Sequence, residues 1–169
     1  MERALVHDVA LVFGFERISV TGPAGGQAGV FRALADAGVT TDMVAQRVLD
    51  ASGLMELSFT VAGAQAGRAL VALRGSGPHS GVHTVRRDGP VAKVSLLGTG
   101  LRCDARVAAA FYEAVSRAGY AYGLAAPSAT GICAVVREPD ALGCARAARA
   151  RFGLPLGEAV AAGLVTSAA

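Results

Sequence analysis

The chain has 169 residues, 53% hydrophobic and 17% charged, and its 16 basic and 13 acidic side chains leave a net charge of +3. That composition supports a sizeable core and excludes global disorder. The basic residues, arginine throughout except Lys93, are scattered apart from Arg86-Arg87 and the helical Arg146, Arg149 and Arg151, so the concentrated basic surface that nucleic acid requires is absent.

The first predicted strand is Leu5–Phe13, with Val6, Val9, Leu11 and Val12 as its β-formers. Ile18–Thr21 alternates apolar and polar residues and predicts a second, half-buried strand. Gly22-Pro23-Ala24-Gly25-Gly26 breaks the chain into a turn. A helix over Gly26–Ala37 follows from Val30, Leu34 and Ala37 at helical spacing, and Gly38 sits where a helix end favours positive φ. Val39–Leu49 returns to strand composition. Asp50-Ala51-Ser52-Gly53 predicts a hairpin turn into the strand Leu54–Val61, with Leu57, Phe59 and Val61 on one face. A helix over Ala64–Arg74 and a short strand over Gly81–Arg87 complete a β-α-β-β-α-β unit, the ferredoxin-like arrangement.

The same grammar repeats after the predicted turn Asp88-Gly89-Pro90. Strand Val91–Leu97, helix Asp104–Ala118, strands Tyr120–Ala126 and Ile132–Arg137, and helix Asp140–Phe152 follow in order, with Ala33–Gly38 aligning on Ala114–Gly119. The pattern reads as an internal duplication. The second copy lacks a fourth strand after Leu154, and the chain has an unassigned strand at its beginning. Letting Leu5–Phe13 complete the second lobe inserts the first lobe within it and leaves no unpaired strand at either end. The expected fold is therefore α+β. It has two lobes with antiparallel sheets and helices on one face: residues 14–88, residues 5–13 plus 91–154, and a C-terminal tail over 155–169.

No catalytic constellation emerges from the residues. The loop Thr21–Gly29 lacks the Gly-Lys-Ser/Thr of a phosphate-binding loop, and Ala28 stands where a dinucleotide-binding dehydrogenase requires glycine. His79 and His83 lie on a predicted loop, without a helix to put both rings on one face. Cys103, Cys133 and Cys144 fall on a loop, a strand and a helix, an odd set with no Cys-x-x-Cys, and are read as buried thiols with no disulfide or zinc site. The uncharged stretch from Ala118 to Val136 is interrupted by Gly119, Gly123, Pro127 and Gly131 and reads as a bent hairpin, not a membrane span. No cofactor, metal, nucleic acid or membrane is expected, and the chain is read as a soluble, cytoplasmic, non-catalytic protein.

Three segments of the first lobe carry a resemblance: Phe31–Gly38, Asp42-Met43-Val44-Ala45-Gln46 and Leu57–Val61. Val91–Gly98, Gly100-Leu101-Arg102, Val107-Ala108-Ala109 and Phe152-Gly153-Leu154 carry it in the second. In this order they resemble the tandem ACT regulatory region of aspartate kinases, and above all the free-standing regulatory (β) subunit. The resemblance implies an ACT pair without a kinase domain, binding an end-product amino acid, lysine or threonine in the family, between its lobes. It also implies a homodimer and a kinase catalytic partner whose activity the ligand modulates. The effector-binding positions it implies in the first loop and helix are Ala24, Gly25, Gln27 and Ala28. On the second strand they are Thr41, Asp42, Met43 and Gln46, and in the second lobe Ala121 and Tyr122. Helix N-terminal amides would attract the ligand's carboxylate, and side-chain acceptors would hold its ammonium.

The sequence departs from the family where the ligand is expected. The first loop is shorter and lacks the family's Asp, Thr40 replaces an Asn, and Ala121-Tyr122-Gly123-Leu124 replaces an Asn-Ile-Glu-Met segment. The Ser-Thr-Ser-Glu segment becomes Ala126-Pro127-Ser128-Ala129, and Arg106 replaces a glycine. An alternative follows: a degenerate ACT pair that serves as a structural or assembly subunit, with no small effector or a different one.

Overall fold

The computed structural model describes residues 4–77, 81–101, 104–128, 131–155 and 166–167. These form β1 (Leu5–Pro23), α1 (Gln27–Asp36), β2 (Thr41–Val48), β3 (Leu54–Ala62), α2 (Gly63–Gly75) and β4 (Thr84–Thr99), then α3 (Ala105–Arg117), β5 (Tyr122–Ser128), β6 (Gly131–Arg137), α4 (Ala141–Arg151) and the two-residue β7 (Thr166–Ser167). The architecture is mixed α and β with antiparallel pairing between β1 and β3, β2 and β3, β4 and β6, and β5 and β6.

Two strands are longer than their sequence suggests. Leu5–Phe13 and Ile18–Thr21 are parts of one continuous strand, β1, and Asp88-Gly89-Pro90 is not a turn but the middle of β4. In each case glycine absorbs the irregularity, with φ 85° at Gly14 and φ 107° at Gly89, as at a bulge that bends a strand without ending it. Asp88 is also held sideways: its carboxylate accepts from the Ser19 hydroxyl and pairs with Arg17 at 3.1 Å. Tertiary contacts thus override the local turn propensity.

The chain divides into two compact units, Gly14–Pro90 and Met1–Phe13 with Val91–Ala168. Within Gly14–Pro90 the strands lie in the order β2-β3-β1-β4. The pairs Ile18↔Phe59 and Val20↔Leu57 place four apolar side chains on one face, where Val30 and Leu34 of α1 and Ala66, Ala69 and Leu73 of α2 cover them. The opposite face is polar. Ser19 and Ser58 share a hydrogen bond of 2.8 Å, Arg47 meets Glu56 at 2.9 Å, and Arg86 bridges Glu56 and Asp88. The Asp50–Gly53 turn forms as expected, and a hydrogen bond from the Ser52 hydroxyl holds the Asp50 carboxyl below its ordinary pKa.

In the other unit the order is β1-β4-β6-β5, with β7 parallel to β1 at Val12 and Phe13. Phe111, Val115, Cys144 and Ala148 pack on Val94, Leu96 and Ala134. Asp104 caps α3, its carboxylate accepting from the backbone N–H groups of Arg106 and Val107, as an N-cap residue should. The repeated Ala-Gly helix ends are structurally alike. Gly38 and Gly119 have φ 64° and 81°, and Val39 and Tyr120 donate back to Leu34 O and Val115 O, the doubly bonded terminus that left-handed glycine permits. Cys133 and Cys144 are buried, and burial pushes the Cys144 thiol up to about 12. Cys103 and His79 lie outside the described residues.

Arg149 ties this unit together. It is buried on α4, and its guanidinium donates to the Asp8 carboxylate, to Val9 O at 3.0 Å and to Pro155 O at 2.6 Å. Hydrogen bonds made by a charged group contribute about 1.5–3 kcal/mol each. Arg149→Ala should therefore lower unfolding stability by about 2–3 kcal/mol, read from the midpoint of urea denaturation. Asp8→Ala should cost less, because Asp8 is half exposed.

Candidate functional site

The turn after β1 leads into the first turn of α1, a helix start that no side chain caps. The N-cap of α1 is Gly26, which has no side chain to cap the helix, and no acidic residue occupies the first turn. The turn itself is clamped by main chain. A Cβ added to Gly22 would lie 1.8 Å from Gly81 O, and one added to Gly81 would lie 2.6 Å from Gly26 Cα. His83 N donates to Thr21 O at 2.8 Å just beyond. Only glycines allow these segments to approach so closely.

Beside this clamp lies a small cavity with Val20, Val30 and Leu57 as its buried floor and Pro23 as one wall. Gln27 Nε2 donates to Gln46 Oε1 at 2.8 Å, and the Met55 thioether lies 3.3 Å from Gln46 Nε2 and 3.8 Å from Gln27 Nε2. The two amides and the thioether sit together in its lining. About 20 Å³ remains inside, room for about one water molecule. Among the described residues no charged side chain lines the cavity.

Of the residues the sequence proposed as ligand-facing, the structure brings Gln27 and Gln46 into direct contact. Ala24 and Gly25 form the exposed turn beside them, and Ala28 is exposed on α1. Thr41, Asp42 and Met43 lie at the other end of β2. Gln46 pairs with Leu57, whereas Thr41 pairs with Val61, so Asp42 is about 13 Å from Gln46 along the strand at about 3.3 Å per residue. Met43 N donates to Thr60 Oγ1 at 3.0 Å, and Thr60 Oγ1 lies 3.5 Å from Asp42 Oδ2, which places this end on the polar face. Ala121 and Tyr122 belong to the other unit, at the start of β5. Sequence reasoning missed Met55 and Gly81. Met55 was reachable: continuing the Leu57, Phe59, Val61 alternation back by one step ends on it.

The glycine clamp supplies a test. Gly81 has φ 75°, so Gly81→Ala adds both left-handed strain, roughly 1 kcal/mol or more, and a clash with backbone. Thermal unfolding should shift down by several degrees, and Gly25→Ala, where nothing lies within 4 Å of the added Cβ, should shift it less.

No family model matches the chain. The aspartokinase of Corynebacterium glutamicum is 33% identical over 158 residues, covering 91% of this chain and 38% of that protein. The chain thus spans well under half the length of the curated relatives it matches. Among solved structures, the regulatory subunit of aspartate kinase from Thermus flavus superposes with a TM-score of 0.79 and 31% identity, covering 89% of this chain and 99% of that one. A chain from the structure of aspartokinase alpha and beta subunits gives a TM-score of 0.80 and 25% identity, with 89% and 100% covered.

Proposed function

Because this chain belongs to the aspartate kinase family and matches its regulatory, non-catalytic subunits, we propose that it senses an amino acid and passes that signal to a kinase catalytic partner. In this reading residues 14–88 form one ACT lobe inserted into a second, made of 5–13 and 91–154 and followed by the tail 155–169. The division at Gly14 and Pro90 and the four-strand order in each unit support it. The observation that carries the functional reading is the near-complete superposition on a free-standing regulatory subunit, with Gln27 and Gln46 in contact beside an uncapped helix N-terminus. The ligand's carboxylate would meet the first-turn amides of α1, which carry the partial positive charge of the helix end.

A second reading, a structural or assembly subunit without a small effector, is favoured by the small volume of the cavity, about 20 Å³. One titration separates the two. A ligand that binds only the folded state raises the melting temperature in proportion to its saturation, so a screen of the common amino acids by thermal shift should yield at least one stabiliser if sensing is retained. Silence across the whole set favours the structural subunit.

Lysine and threonine are not the expected stabilisers. Among the described residues the cavity is lined by no carboxylate for lysine's side-chain ammonium, and its floor of Val20, Val30 and Leu57 offers nothing to threonine's hydroxyl; each lost bond costs roughly 1–3 kcal/mol. Both should bind the purified chain no better than about millimolar by calorimetry. A lysine isotherm well below millimolar that disappears in Gln46→Ala would return this chain to lysine sensing.

A second copy of the chain is the expected partner alongside the kinase. Of the apolar stretch 120–136, β6 is already buried in its own sheet, so the edge strand β5 would be what this partner covers. Light scattering at micromolar concentration should give twice the chain mass, and a monomer would count against the pairing.

A further inference from the structure

We infer that Met55 is a built-in plug of the Gln27–Gln46 cavity, standing where the side chain of a neutral, apolar amino acid would sit. This rests on the sensing role proposed above and specifies both the ligand class and the way the site is gated.

Three observations carry it. First, Met55 occupies the rim as a ligand side chain would. Its thioether is the shared acceptor for the amides of two residues on different elements, Gln27 on α1 and Gln46 on β2, which also bond to each other. A thioether is a weak acceptor, so these amide hydrogens spend little energy on Met55 and remain available to a better partner such as a ligand carboxylate or carbonyl. Second, the cavity left behind Met55, about 20 Å³, is far too small for an amino acid, yet its buried floor of Val20, Val30 and Leu57 is hydrocarbon throughout. Withdrawing Met55 joins that space to the volume of its own side chain and yields a pocket of apolar character. Third, among the described residues no charged side chain lines the cavity. The nearest carboxylate by sequence, Glu56, points to the opposite face of the sheet and is engaged by Arg47 and Arg86. A lysine ammonium would therefore be buried without a counter-charge, whereas a thioether or branched aliphatic side chain would fill the volume that Met55 vacates.

Met55 is suited to the motion. It is half-buried near the start of β3, and its side chain is unbranched and flexible. The strand continues past it through Glu56, Leu57 and Ser58, all buried, so the rotamer can change while the backbone stays.

Calorimetric titration of the wild type and of Met55→Ala with methionine, leucine, threonine and lysine tests this. Met55→Ala deletes Cγ, Sδ and Cε and should bind methionine or leucine at least about tenfold tighter than the wild type, with lysine undetectable in both. Met55→Leu keeps the bulk and should stay close to wild-type affinity. Met55→Thr, a β-former with a short side chain, should reproduce the gain if the alanine variant unfolds. Equal or weaker binding of methionine and leucine to the shortened variants overturns the plug. Lysine binding as tight as leucine overturns the ligand class while leaving amino-acid sensing intact. If no amino acid binds any of the four proteins, or raises its melting temperature, both the plug and the sensing role fall.

Discussion

The register between β1 and β3 is the constraint on which the 14–90 unit depends. Pairing runs without a break from Phe15↔Ala62 to Pro23↔Leu54, and side chains alternate faces with a period of two. That single alignment puts Ile18, Val20, Leu57 and Phe59 under the helices. It puts Ser19 and Ser58 on the other face, and Met55 directly across from Gly22. A slip of one residue would exchange the two faces, burying Glu56 and Arg17 beneath α1 and α2. It would also empty the cavity rim, because Met55 would no longer face Gln27 and Gln46. The polar mesh on the open face therefore helps to specify the fold as well as solvate it. Arg47, Glu56, Arg86, Asp88 and Arg17 are brought into ion-pair distance by the observed alignment.

The same alternation explains why a cavity so close to five charged groups is itself neutral. Arg47 and Glu56 are cross-strand partners, and each is flanked along its strand by residues that face the other way, Gln46 and Val48 on β2, Met55 and Leu57 on β3. Charge is thus confined to one face by strand geometry, and the chemistry offered to a small molecule on the other is amide, thioether and hydrocarbon. This differs from a site that carries an acidic side chain in its first loop. The loop Asp that the sequence lacks is one part of a consistent change, since the described residues that line the cavity are all uncharged.

Much of the fold was legible in the sequence. Helical spacing of Val30 and Leu34, and of Phe111 and Val115, located the helices, and the glycines at 38 and 119 marked their ends for the reason that left-handed φ selects glycine. The breaks after Phe13 and at Asp88-Gly89-Pro90 were misread, because a glycine that ends a strand and a glycine that bends one carry the same local signal. Only partners distant in sequence, such as Ser19 and Arg17 for Asp88, decide between them. The site was half legible. Gln27 and Gln46 could be named, but Asp42 was grouped with Gln46 by nearness in sequence although the strand carries it to the other end and the other face. Met55 escaped because a methionine in an apolar strand gives no sign of whether it fills a core or stands guard at an opening.

The continuity of β1 bears on how the chain is made. Gly14–Pro90 includes all four strands of its own sheet in one contiguous stretch, so it can close as soon as that stretch has left the ribosome. The other unit cannot. Its edge at Leu5–Phe13 is synthesised first but waits for Val91–Thr99, with Leu5 O finally packed against Gly98. Such long-range closure is slow, and during the wait an apolar strand containing Val6, Val9 and Leu11 stands exposed. The strand made first in this unit therefore depends for its partner on chain made only after the whole of Gly14–Pro90.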